Sequence, residues 1–256
     1  MARNIVFFDI DGTILNENHE IALSTKRAIQ ELQDAGVYTA LATGRAPSTF
    51  TWIREELGIH SYVSINGQYV VFEDEVIYDQ PLDTVELEAF ASMAASLHHP
   101  IVYMHSHGMS ASMEHQLIHD GLRTCNLEHP PVCATGYREA AVYQGVLFCN
   151  DEATIPFAER FQNMQFYRWH SLATDFLQKD GSKAVGIRKF LERTGMSQEH
   201  CYAFGDGVND IEMLQFAGTG VAMGNASQEV KRHADLVTAS HTEDGIWKGL
   251  RTVGLL

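Results

Sequence analysis

Residues 5–8, Ile-Val-Phe-Phe, form an unbroken apolar run that stops at Asp9, and Asp9-Ile-Asp-Gly follows without a spacer. An apolar stretch with no polar alternation fits a strand buried on both faces, as in a parallel sheet covered by helices. Ligands in such sheets gather beyond the carboxyl ends of the strands, which puts Asp9 and Asp11 on the functional rim. Side chains two apart on a strand share a face, so both acids could reach one point. A bend at Gly12 would leave Asp11 using its backbone carbonyl for one contact and its carboxylate for another. Hard oxygen donors of this kind suit Mg²⁺. Taken alone, the same segment also reads as an ordinary strand end whose aspartates cap the next turn.

The first third of the chain alternates strand and helix signals. Ser24 is placed to cap a helix over residues 25–35 that Gly36 stops. A strand over 37–42 then ends in Thr43-Gly44-Arg45, a helix covers 50–57, and a strand covers 62–65. Asn66-Gly67 follows between two apolar runs, a hairpin signal. Strand, helix, strand, helix at this spacing implies right-handed crossovers and a parallel sheet. Near Pro81 the rhythm changes to a helix over 84–98, an extended run over 101–113, a histidine-rich middle, a strand over 142–149, a helix over 155–161 and a last extended run over 165–169. From Lys183 the first rhythm returns, with Ser182 as a helix cap and a strand over 201–204 ending in Gly205-Asp-Gly-Val-Asn-Asp210. The expected architecture is an α/β, Rossmann-like parallel core over residues 1–82 and 183–256, with an inserted α+β domain over 83–182.

Composition narrows the partners. The chain has 256 residues, 45% hydrophobic, enough for a sizeable core. Its formal net charge of −15 argues against nucleic acid or an anionic membrane as a partner. No signal peptide and no apolar run of membrane-spanning length is apparent, so a cytoplasmic protein, monomer or homodimer, is expected. The four cysteines form no C-x-x-C pair and read as reduced packing residues. Among the 13 histidines, His105 and His107 share a strand face and His115 and His119 a helix face. Neither pair has an evident third ligand nearby in sequence, so surface or substrate-facing histidines are expected rather than a zinc site.

The rim residues together resemble the haloacid dehalogenase-like phosphohydrolase superfamily, in its Cof-type branch with a C2-type cap. The resemblance spans the chain in order: Asp9-Ile-Asp-Gly-Thr13, Thr43-Gly-Arg45, Lys183, and Gly205-Asp-Gly-Val-Asn-Asp210. It implies an Mg²⁺-dependent phosphatase acting on small phosphorylated metabolites through an aspartyl-phosphate. Asp9 would be the nucleophile, Asp11 the general acid and base, and Thr43 and Lys183 further catalytic groups. The metal would be held by Asp9, the Asp11 backbone carbonyl and Asp206, with Asp210 binding directly or supporting the others. Thr43, Gly44, Arg45, Asn66, Gly67, Lys183 and Asn209 would line the phosphate or substrate. Bland readings stand beside these: Thr43 as a helix cap, Lys183 as an exposed first-turn lysine, Arg45 as the ion-pair partner of an acid, Asn66-Gly67 as a plain hairpin turn. The alternative functions are a phosphoacceptor regulatory module, which a base at Asp11 would keep dephosphorylating, and a phosphotransferase or mutase. Mutases of this superfamily carry a small helical cap near the first motif, and residues 13–24 are too few to contain one.

Overall fold

In the computed structural model, which describes residues 3–256, the opening run is strand β1 (Ile5–Phe8), with every side chain inaccessible. Along the chain follow β2 (Tyr38–Ala42), β3 (Ser61–Ser64), β4 (Tyr69–Phe72) and β5 (Glu75–Asp79). Then come β6 (Ile101–His105), β7 (Gly108–Ala111), β8 (Gln144–Leu147), β9 (Met164–His170) and β10 (Ala173–Gln178), and finally β11 (Cys201–Gly205), β12 (Thr219–Ala222) and β13 (Leu236–Val237). Eight strands make one sheet in the order β13-β12-β11-β1-β2-β3-β4-β5. Neighbours are parallel from β13 through β3, and β4 and β5 add an antiparallel edge. The expected α/β class with a parallel core is therefore the class that forms.

Register decides where the acids go. Phe8 lies beside both Phe204 and Leu41, so β1, β11 and β2 end at one level. The amide of Asp9 donates to the Phe204 carbonyl at 2.9 Å, carrying the ladder one step past the strand. Helix Lys183–Thr194 covers this region by burying Ala184, Ile187, Phe190 and Leu191, an apolar stripe of helical period. Phe190 meets Phe7 edge to face at 5.2 Å between ring centroids. Ser182 caps the helix, accepting from the Val185 amide, and Gly195 ends it in the left-handed region.

By its contacts the chain divides into two units. One comprises the chain up to Arg45, Thr51–Asp79 and Ser182–Leu256; the other comprises Ala46–Phe50 and Gln80–Gly181. The first junction thus falls at Asp79/Gln80, earlier than the composition shift suggests. Leu82 is the reason: it is buried in the core of the inserted unit, and its amide donates to the Val142 carbonyl at 2.8 Å. The inserted unit is an antiparallel sheet ordered β7-β6-β8-β10-β9. Helices Thr84–Ser96 and Asp151–Arg160 supply Phe90 and Phe157 to its core, where Phe90 stacks on Phe176 at 4.1 Å. A second difference concerns Ser24. The first helix, Leu23–Asp34, is entered from Ala22, and the Ser24 hydroxyl is buried with no hydrogen-bond partner among the described residues. The helix thus starts at Leu23 with no side-chain cap.

Candidate active site

Two strand ends and a helix start build the acidic centre. After β1 comes Asp9, 6% exposed; after β11 come Asp206 and the fully buried Asp210; and from the start of its helix Lys183 enters, 1% exposed. Its ammonium donates to Asp9 Oδ1 at 2.5 Å and to Asp210 Oδ1 at 2.6 Å. The other Asp210 oxygen accepts from the amides of Asp206 (3.0 Å) and Gly207 (2.8 Å), which fixes the turn that aims Asp206. One oxygen from each of Asp9, Asp206 and Asp210 lies within 4.8 Å of the others.

Electrostatics at this cluster are unbalanced. Burial first, and then the Asp210 charge, hold the Asp9 carboxyl well above its ordinary range. Burial, with Asp210 adding, pushes Asp206 up to about 6 against the opposing Thr13 hydrogen bond. Burial works against the Lys183 ammonium, yet the charges of Asp210 and Asp9 outweigh it and raise the lysine. Three converging carboxylates with one ammonium leave excess negative charge in a space of oxygen donors. That donor set fits a hard divalent cation, which would lower the raised carboxyls.

Asp11 is turned elsewhere. Its half-exposed carboxylate is gripped at both oxygens by Arg45, Nε to Oδ2 at 2.8 Å and Nη2 to Oδ1 at 2.6 Å. Arg45 thus forms an ion pair with an acid, and the carboxylate of Asp11 is not among the converging three. Directly after Asp11, Gly12 has φ +78°, and a Cβ there would stand 2.3 Å from Asp206 Oδ2. Only glycine lets the chain turn away while Asp206 comes this close.

The second motif and the hairpin form one structure. Asn66-Gly67 does join antiparallel β3 and β4, so the turn reading holds, and the turn also reaches the site. Ile65, Asn66 and Gly67 all have positive φ, and the amides of Ile65 and Asn66 donate to the carbonyls of Arg45 and Thr43. Thr43 is buried, and its hydroxyl oxygen accepts from the Arg45 amide at 3.1 Å, leaving its proton free to be given. Gly44 lies against the Asn66 amide, 3.1 Å from where a Cβ would stand. Asn209 donates to Asn66 Oδ1 at 3.2 Å, tying this turn to the loop after β11. A Cβ on Gly67 would meet the Ser182 carbonyl at 2.0 Å, so the turn sits directly on the start of the lysine's helix.

Two polar residues at the centre were given no role from sequence, Thr13 being quoted only as the end of the first motif. Thr13 donates to Asp206 Oδ1 at 2.9 Å, and Asn225 donates to the Gly12 carbonyl (2.8 Å) and to Asp206 Oδ2 (3.2 Å). Asn225 follows β12, and the rule that ligands gather at strand carboxyl ends would have reached it.

Buried acids only partly offset by a single lysine, at the carboxyl rim of a parallel sheet, make a centre suited to a cation and an anionic substrate. The family model for haloacid dehalogenase-like hydrolases matches residues 6–250. A Bacillus subtilis protein named "Putative phosphatase YkrA" is 42% identical over 257 residues, with both chains covered completely. A hypothetical protein of solved structure from Geobacillus kaustophilus HTA426 is 48% identical and matches with a TM-score of 0.95 over all of both chains. The sugar phosphatase BT4131, of subclass IIB, is 29% identical with a TM-score of 0.88, over 99% of this chain and 100% of its own. The chain belongs to the haloacid dehalogenase-like hydrolases, in their Cof-type branch. It is a phosphatase that hydrolyses phosphate monoesters, of a kind that works with a divalent metal.

Proposed function

We propose that the protein hydrolyses phosphomonoesters of small metabolites through an aspartyl-phosphate on Asp9, with Mg²⁺ as the metal. The observation that carries this reading is the buried Asp9 carboxylate, paired with Lys183 and converging with Asp206 and Asp210. Asp9, the Asp11 backbone carbonyl and Asp206 would hold the ion, with Asp210 beside them. Bound there, Mg²⁺ supplies positive charge that lets a carboxylate approach an anionic phosphate.

In the first half-reaction an Asp9 oxygen bonds to phosphorus as the bond to the leaving oxygen breaks, and that oxygen takes a proton from Asp11. In the second, Asp11 takes a proton from water, the water oxygen bonds to phosphorus, and Asp9 is released with inorganic phosphate. Lys183 balances charge at the attacking carboxylate, and Thr43 donates its hydroxyl proton to a phosphoryl oxygen. Both Asp11 oxygens accept from the Arg45 guanidinium, so the carboxyl must turn from that fork to aim a proton at the leaving oxygen. Asn66, Gly67 and Asn209 keep the Thr43-Gly44-Arg45 segment in place for the phosphate. Substrate choice is assigned to the inserted residues 83–182, because the groups named so far act on phosphate, which all such substrates share. The likeness to a sugar phosphatase is in keeping with a small phosphorylated substrate.

The test measures phosphate release from an aryl phosphate and from a metabolite panel. Activity should vanish with a chelator and return with Mg²⁺. Asp9→Asn should lose roughly 10³-fold or more, with the wild type alone showing a phosphorylated Asp9 peptide after acid quench. Turnover retained in the Asp9 variant would sink the nucleophile assignment.

A further inference from the structure

A second group of ligand atoms lies within the inserted unit, on the excursion between β7 and β8. His115 caps helix Gln116–Arg123 by accepting from the Leu117 amide at 3.1 Å, so its Nδ1 is spent on the backbone. His119, one turn further on, sets its Nε2 2.6 Å from Glu114 Oε1. The chain after the helix then returns His129, whose ring centroid lies 4.6 Å from that of His119 and whose Nδ1 is 3.7 Å from Glu114 Oε2. One ligand atom from each of the three lies within 4.8 Å of the other two.

His129 adds a buried ring nitrogen to the group. Its side chain is 6% exposed, and its Nδ1 lies 2.7 Å from the Pro130 carbonyl, which can only accept. Nδ1 therefore carries the proton, and Nε2 is left with a lone pair. That nitrogen is buried with no hydrogen-bond partner among the described residues. A backbone carbonyl holding one ring nitrogen while the other waits with a free lone pair is the usual support for a metal-binding imidazole.

We propose that Glu114, His119 and His129 bind a zinc-class divalent cation, completed by water, in a site made of the inserted unit's residues alone. Two imidazoles and one carboxylate suit Zn²⁺, whereas Mg²⁺ prefers a shell of oxygens. The half-exposed His119 and the exposed Glu114 can close from their present spacing onto an ion fixed by His129. The cation would staple the helix Gln116–Arg123 to the loop that follows it, a role distinct from the phosphatase chemistry. Sequence spacing paired His119 with His115. The structure replaces His115 by two residues, one before the helix and one beyond it.

The test is zinc binding by the full-length protein in a large excess of Mg²⁺, read by competition with a chromogenic chelator. One Zn²⁺ per chain should resist the Mg²⁺. His119→Gln and His129→Gln should each weaken it by about 10-fold or more, and Asp206→Asn should leave it in place. X-ray absorption on the zinc-loaded protein should show two imidazole ligands, and circular dichroism checks that both variants fold. His119 is the more accessible of the two histidines, so its variant decides the matter if the His129 variant fails to fold. Zinc binding unchanged in His119→Gln, lost in Asp206→Asn, or displaced by Mg²⁺ would overturn the proposal.

Discussion

At the scale of single residues, the two aspartates of the first motif divide their work because their surroundings differ. Asp9 is buried against Lys183, and Asp11 is half-exposed in the Arg45 fork. Asp11→Asn should therefore hurt selectively: rates should fall most for poor leaving groups, and a loss equal across a leaving-group series would argue against acid duty. Lys183 is the converse case, a buried ammonium held between two carboxylates. Lys183→Met leaves those charges uncompensated, so stability to urea without added metal should drop by about 3–5 kcal/mol, and phosphate release should fall by roughly 10²–10³-fold. The sequence offered an acid as a partner for Arg45 without singling out Asp11, and it did not show the depth of Lys183. Each depends on a partner more than thirty residues away, brought near by strand order.

At the scale of elements, the site depends on how a turn meets a helix. The Ile65–Gly67 turn keeps three successive residues at positive φ, costly for a β-branched isoleucine, and it holds because the Thr43 and Arg45 carbonyls take up its amides. Gly67 in turn lets the Ser182 carbonyl approach, and Lys183 is the next residue. Gly67→Ala should move the start of that helix, lowering stability by about 1–3 kcal/mol and reducing turnover more than substrate affinity. Denaturation and steady-state kinetics check this; an alanine variant with wild-type turnover would separate the turn from the site. The hairpin was readable from Asn-Gly between apolar runs. Its second duty was not, because nothing local says which helix will lie against it.

Across the whole molecule, the inserted unit carries its own electrostatic signature. Asp175 accepts from Trp169 Nε1 at 2.7 Å, and although part of its surface is accessible, burial pushes its carboxyl up to about 7. A carboxyl raised in the folded state stabilises below its unfolded pKa, near 3.8, and that contribution is lost as pH rises through about 7. Asp175→Asn has no such proton to lose. Between pH 5 and pH 8 the stability difference should therefore move in favour of the variant by on the order of 2 kcal/mol, allowing for partial solvent access. Urea titrations at the two pH values check it, and a difference independent of pH would refute the assignment. No helix among the described residues is long and apolar enough to cross a membrane.

The sequence by itself determined the parallel core, the strand ends that carry Asp9, Thr43 and Asp206, and the interruption of the core by a unit of different rhythm. Those features are local: an apolar run without alternation, a glycine at a bend and a change of period are each written in a few adjacent residues. Only the tertiary structure decided that Arg45 grips Asp11, that Asn225 and Thr13 complete the acidic centre, and that Glu114 and His129 stand beside His119. Such contacts join residues far apart in the chain, and which ones meet is set by strand order and register, which no local pattern encodes.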